Sequence, residues 1–271
     1  MTDAEKARRF ADAKRKIIGE EDGLTVNDRE RPTIGTLSEK TVHAVLKNYF
    51  EPDEDRQEIP IGSFVADIYR PVPGTETRKK TKKELPHEIL EIQTRAMYRM
   101  GRKLEAFLPL YPVTIVYPIP HKKQLYWVDE ETGELSSGRR SPKTGTFYDA
   151  VRELYSIREY LTHPNLRICL ILLDVREYKL LNGYGQKKKI RATRYDRIPE
   201  NLAGELFLSC PEDYMQLLPA DLPEEFTSGD LAKSAKLSRE AATLTLALLR
   251  HVGVIEQLGK KGRAYLYRCR Y

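Results

Sequence analysis

Two stretches decide the fold: FVADIYR, Phe64 to Arg70, and HEILEIQT, His87 to Thr94. Both are rich in β-branched and aromatic residues, and between them lies the lysine-rich run RKKTKK, Arg78 to Lys83. This pattern predicts two strands of a hairpin, the first reaching back through QEIPIGS to Gln57. Residues two apart share a face of a strand, so Glu91 and Gln93 project together while Leu90 and Ile92 point into the core. Asp67 falls inside an apolar strand, where a carboxylate is costly unless it meets a cation or hydrogen-bond donors.

The reading extends outward from there. In TLSEKTVHAVLKNYF, Thr36 to Phe50, Val42, Val45, Leu46 and Tyr49 share one helical face, and Thr36-x-x-Glu39 matches a capping box. Beyond the hairpin, RAMYRMGRKLEAFLPLY has helical spacing in Met97, Leu104, Phe107 and Leu108, and PVTIVYPI reads as a buried strand. The order is therefore helix, strand, strand, helix, strand. QLYWVDEETGELS then suggests a hairpin with a Thr-Gly turn, TFYDAVRELYSIREYL a helix, and LRICLILLDVREYKLL a buried strand followed by a basic loop at Lys187 to Arg194. AGELFLSCPEDYMQLLPADLPEEF closes the larger domain, its prolines marking a linker near Leu222 to Phe226. Residues 1–30 read as a charged, peripheral helical arm, 31–222 as the main α/β domain and 224–271 as a small separate module.

In that module, Thr227-Ser-Gly-Asp230 offers a helix cap, and Ser238 caps a second helix that ends at Gly253. The second helix is expected to bury Ala241, Leu244, Leu248 and Val252 and to expose Arg239, Thr243 and Arg250. Two short strands follow, VIEQL and RAYLYR, joined by the turn Gly259-Lys-Lys-Gly262. From Thr227 to Tyr271 the basic residues outnumber the acidic ones by nine to three, a surplus equal to the formal charge of +6 for all 271 residues. A polyanionic partner is the natural inference, although a basic run is also what a solvated loop looks like.

Composition narrows the rest. Hydrophobic residues are 40% and charged residues 32%, which fits a folded chain with a well-solvated surface. The longest apolar run, Ile168 to Leu173, is far below the ~18 residues of a membrane span, and the amino terminus has no signal-peptide core. Cys169, Cys210 and Cys269 form no zinc or disulfide pattern, and the five histidines no metal-ligand spacing. A cytoplasmic protein is the expectation, with Cys169 a core residue.

The module from Glu224 to Tyr271 resembles a winged helix-turn-helix. That resemblance implies a second helix entering the major groove of DNA and a basic wing touching its backbone, with Ser238, Arg239, Thr243, Lys260, Lys261 and Arg263 as contacts. A winged helix used for protein contacts is the alternative.

The larger domain resembles the PD-(D/E)XK nuclease superfamily over about Thr36 to Pro120. The resemblance lives in Glu39 on the first helix, Asp67 in the first strand and Glu91-Ile-Gln93 in the second. It implies an α/β fold with a restriction-endonuclease-like mixed sheet flanked by helices. It also implies a metal-dependent DNA endonuclease in which Asp67 and Glu91 bind Mg²⁺ or Mn²⁺ and Glu39 assists through water. Gln93 stands where that superfamily usually carries lysine; an amide orients water but supplies no positive charge. Lys103, Arg99 and Arg95 from the following helix are the candidate replacements, Lys103 first. Double-strand cleavage by such a fold implies a homodimer. Each residue also has a structural use: Glu39 as a cap, Asp67 and Glu91 as ion-pair partners of Arg95 or Arg102, Gln93 as a surface strand residue. A DNA-binding regulator with an inactive nuclease-like domain is therefore the rival reading, and a protein-interaction factor the third.

Overall fold

The computed structural model describes residues 1–19, 40–74, 86–129, 132–182 and 192–270. Glu39 lies outside them, so the expected cap and metal-assisting role at that position fall beyond the structure, as do the lysine-rich run at 78–83 and most of the basic loop at 187–194.

The protein is α/β, with a large mixed sheet flanked by helices. Its chain order is α1 (Asp3–Ile18), α2 (Lys40–Phe50), β1 (Gln57–Ile61), β2 (Phe64–Pro71), β3 (His87–Ile92), α3 (Gly101–Phe107), β4 (Val113–Asp129), β5 (Arg139–Arg140), α4 (Val151–Ser156), β6 (Leu166–Leu181) and β7 (Thr193–Leu208). The carboxy-terminal elements are β8 (Glu225–Thr227), α5 (Ser228–Ser234), α6 (Arg239–Val252), β9 (Ile255–Lys261) and β10 (Ala264–Cys269). The large sheet runs β1-β2-β3-β4-β6-β7, with β5 paired to β4. β2 and β3 are antiparallel, with Ile68 opposite Leu90 and Tyr69 opposite Ile89. β3 and β4 are parallel, with Leu90 beside Thr114 and Ile92 beside Val116, which makes the sheet mixed.

Several expected elements differ. The single strand read from Gln57 to Arg70 is two, because Gly62 adopts a positive φ of 61° and reverses the chain there. The strand PVTIVYPI does not stop at its prolines but continues through QLYWVD to Asp129. On its β3 side, β4 is paired through Val116, and its pairing with β5 involves Gln124 and Leu125. Pro118 and Pro120 fall in the gap between those two pairings. The expected loop and closing segment around residues 193–208 is instead the strand β7, which stands at the end of the strand order, where Pro199 is tolerated. The helix read over 146–161 is broken into two 3₁₀ turns around the short α4.

By packing, the chain divides into two compact units: Met1–Gln57, Pro118–Thr146 and Ile171–Glu205, and Glu58–Tyr117, Phe147–Leu170 and Leu206–Tyr271. The division does not fall at the prolines near Leu222. In the first unit α1 is more than a peripheral arm. A capping box between Thr2 and Glu5 starts it, Phe10 and Ala13 are buried, and the Phe10 ring meets Tyr49 of α2 edge to face at 5.8 Å. Glu205 accepts from the Tyr49 hydroxyl at 2.7 Å and pairs with Lys6 at 2.6 Å. In the second unit Ile68, Ile89, Leu104, Phe107, Val113, Ile115 and Leu154 are fully buried, so both β3 and α3 are fixed by apolar packing.

The carboxy-terminal residues form a three-stranded sheet, β8-β10-β9, against α5 and α6. Glu225 and Phe226, read as linker, pair with β10 together with the cap residue Thr227, as β8. Within α6 the buried set is wider than expected and includes Ala242, Thr245, Leu246 and Leu249 as well as Leu248 and Val252, because α6 packs against α4 as well as α5. Ala241 and Leu244 are only half-buried. Thr245 satisfies its hydroxyl by donating to the Ala241 carbonyl at 2.8 Å.

Candidate active site on β2, β3 and α3

Antiparallel pairing sets the site. One step past the paired Ile68 and Leu90, Asp67 of β2 and Glu91 of β3 are brought together at the end of the ladder. Asp67 Oδ2 accepts the Ile92 backbone N–H at 2.7 Å, which orients the carboxylate. The 3₁₀ turn Met97–Met100 then leads into α3, and burial of Met97, Leu104 and Phe107 turns Lys103 back towards the sheet. Its Nζ donates to Glu91 Oε2 at 2.7 Å and to the Val65 carbonyl at 2.8 Å.

The electrostatics of this trio are unbalanced. Glu91 is 3% exposed, and its Oε1 is buried with no hydrogen-bond partner among the described residues. Burial raises its pKa first and the Asp67 charge raises it further; the Lys103 ammonium opposes both, and the net result is a carboxyl pushed up to about 7. Glu91 thus meets a single lysine, which only partly offsets its burial and the Asp67 charge. Hard oxygen donors with one oxygen unsatisfied suit Mg²⁺ or Mn²⁺, which keep several waters and need few protein ligands. No group of three or more His, Cys, Asp or Glu residues stands ready for a metal among the described residues.

Of the expected residues, then, Asp67, Glu91 and Lys103 come together. Gln93 points elsewhere: its amide donates to the carbonyls of Arg95 and Ala96, tying down the turn where Ala96 takes a left-handed φ of 52°. The expected structural partners Arg95 and Arg102 are not the cation on Glu91; Lys103 is. The Val65 carbonyl, the second anchor of Lys103, had no side-chain signal in the sequence.

The carboxy-terminal candidates divide into two groups. Ser238 Oγ accepts from the Ala241 N–H at 3.1 Å as the cap of α6; Arg239 and Thr243 are exposed, with the Thr243 hydroxyl on the Arg239 carbonyl at 2.8 Å. Lys260, Lys261 and Arg263 are exposed at the end of the β9–β10 hairpin. The expected loop Gly259 to Gly262 is shorter than read: Lys260 and Lys261 lie in β9 opposite Tyr265 and Ala264, and the chain reverses at Gly262, φ 65°. Lys260 Nζ sits 5.2 Å from the centre of the Tyr265 ring.

Comparison with known proteins adds family but no activity. A family model described as "Domain of unknown function (DUF8091)" matches residues 40–209. An uncharacterized protein of Treponema pallidum (strain Nichols) is 29% identical over 237 residues, covering 87% of each chain. No solved structure matches. No helix among the described residues is long and apolar enough to cross a membrane.

Proposed function

This chain belongs to the DUF8091 family, and we propose that it is a metal-dependent nuclease that hydrolyses phosphodiester bonds in DNA. The observation that carries the proposal is the buried Glu91 beside Asp67, whose Oε1 has no hydrogen-bond partner among the described residues while its Oε2 takes the ammonium of Lys103. Asp67 and Glu91 would hold the divalent cation. Bound there, such a cation polarises a phosphodiester and lowers the pKa of water. Lys103 supports the negative charge that grows on the phosphate, the part usually taken by lysine at the Gln93 position in the PD-(D/E)XK pattern. Near pH 7 Glu91 is close to half-ionised, so cation binding and proton loss from Glu91 are coupled.

The carboxy-terminal order of helix, turn, helix and hairpin, with exposed basic residues on α6 and at the hairpin end, supports a winged helix that binds the DNA. Ser238, Arg239 and Thr243 would face the groove and Lys260, Lys261 and Arg263 the phosphates.

One observation favours the rival reading of a non-enzymatic DNA-binding regulator. Lys103 bonds both Glu91 and Val65, which is how a purely structural strut between α3 and the sheet would behave. Single-turnover cleavage of a mixed-sequence duplex with Mg²⁺ or Mn²⁺ separates the two. Wild type cleaves, and Asp67→Asn, Glu91→Gln and Lys103→Met each lose about 10²-fold or more. Gln93→Ala stays near wild type, since its amide serves the turn. No cleavage by wild type with either metal, under conditions where it binds the duplex, overturns the enzyme in favour of the regulator.

A further inference from the structure

A second concentration of charge stands in the other unit. Glu177 of β6 is 4% exposed and is ringed by cations carried on β4, β6 and β7. Arg197 Nε lies 2.9 Å from Glu177 Oε2, Arg194 Nε 4.0 Å from the same oxygen and Lys179 Nζ 3.5 Å from Oε1. Lys123 of β4 joins the group: it is partly buried and feels Glu177 together with Arg197, Lys179 and Lys143. Four cations thus meet one carboxylate, with Lys143 near Lys123.

Glu177 holds the group together but cannot neutralise it. Burial and the neighbouring cations both press Lys123 to give up its proton, holding its pKa below the usual lysine value. The cations rise from β4, β6 and β7, which span about 10 Å across two strand spacings, and their charged ends close in on Glu177.

We propose that the cluster around Glu177 is a second phosphate-binding site that takes the backbone of a nucleic acid strand. It rests on the reading of nucleic acid as the substrate and adds a binding surface separate in sequence from α6 and the β9–β10 hairpin.

The test is metal-free binding of the full chain, in EDTA, to a fluorescent strand of about 20 nucleotides and to its duplex, over roughly 50 to 200 mM salt. Lys123→Gln combined with Lys179→Gln should weaken binding about tenfold and flatten the log-log salt dependence by about 0.7 to 0.9 per lost contact. Arg194→Gln, at a more exposed cation, gives a smaller loss in the same direction and serves if the double variant fails to fold. Unchanged affinity and slope in folded variants overturn the proposal, and so does the absence of binding by wild type. Displacement of the strand by millimolar orthophosphate at constant ionic strength also overturns it, because the site is then one for a lone anion. No cleavage enters this measurement, so an inactive wild type defeats the nuclease reading and leaves this result intact.

Discussion

Glu91 and Glu177 are the same residue at nearly the same burial, 3% and 4% exposed, yet their acidities move in opposite directions. Glu91 meets a second carboxylate and a single lysine, and its pKa rises to about 7. For Glu177 burial also raises the pKa, but Arg197, Lys123 and Arg194 outweigh it and hold the carboxyl below the usual glutamate value. Burial alone therefore does not decide what a buried acid is for; the balance of its neighbours does. Glu91 is left with an oxygen that has no hydrogen-bond partner among the described residues, and Glu177 with more than one cation.

The largest expected effect tests that contrast directly. Glu177→Ala leaves several cations gathered in a poorly hydrated place, so it should cost about 3 to 5 kcal/mol. Glu91→Gln should cost much less at pH 7, because that carboxyl is already near half-protonation. Urea denaturation of the two variants checks the order, and equal losses would break the comparison.

Next in size is the dependence on pH. A carboxyl whose pKa is raised by folding stabilises fully below the unfolded value of 4.5 and loses that contribution as pH rises through about 7. Glu91 should therefore lower stability between about pH 5 and pH 8, by on the order of 3 kcal/mol at most. The sign reverses for Glu177, whose pKa is depressed: its contribution is present above 4.5 and is lost only in acid. Thermal melts at pH 5, 6, 7 and 8 should show a downward trend that Glu91→Gln flattens, and Mn²⁺ should raise the melting temperature more at pH 8 than at pH 6. A trend untouched by Glu91→Gln would show that other groups carry it.

This contrast also marks where the sequence could and could not be read. Local periodicity fixed the faces of short elements: Val45, Leu46 and Tyr49 on α2, and Met97, Leu104, Phe107 and Leu108 around α3, are all buried as their spacing implies. The acids Asp67 and Glu91 were visible because charge inside an apolar strand is conspicuous. Lys103 was read as the first of three candidates, ahead of Arg99 and Arg95, and the packing of Leu104 and Phe107 turns it to the sheet. Of the Glu177 cluster only the basic loop that ends at Arg194 was visible. The cluster's members come from β4, β6, β7 and the segment around Lys143, and only the pairing of distant strands assembles them. Prolines misled in the other direction, since Pro118 and Pro120 read as the end of a strand that in fact runs on to Asp129.

A smaller effect belongs to the exposed basic residues of β9. Lys260→Glu with Lys261→Glu should weaken duplex binding for all sequences alike and reduce the salt slope by about 0.9 per phosphate contact. Fluorescence anisotropy over a salt series measures both. An unchanged slope in the folded variant would remove the hairpin from the interface and leave the Glu177 cluster as the main phosphate contact.

The smallest effect extends the comparison to a carboxylate at the surface. Asp230 is exposed, and its Oδ2 accepts from the Thr227 N–H and hydroxyl, both at 2.8 Å, at the start of α5. Those bonds lower its pKa, as the cations do for Glu177, but water already solvates the charge, so far less free energy depends on it. Thr227 completes the box, its Oγ1 accepting from the Gly229 and Asp230 amides at 3.2 and 3.3 Å. Thr227→Ala should therefore cost about 1 kcal/mol, as the loss of a helix cap does, and Asp230→Asn about half that or less. Melting temperatures of the two variants at low and high salt check this. If Asp230→Asn matched the loss caused by Glu177→Ala, neighbour chemistry would outweigh burial even at the surface, and the contrast between the two glutamates would need another cause.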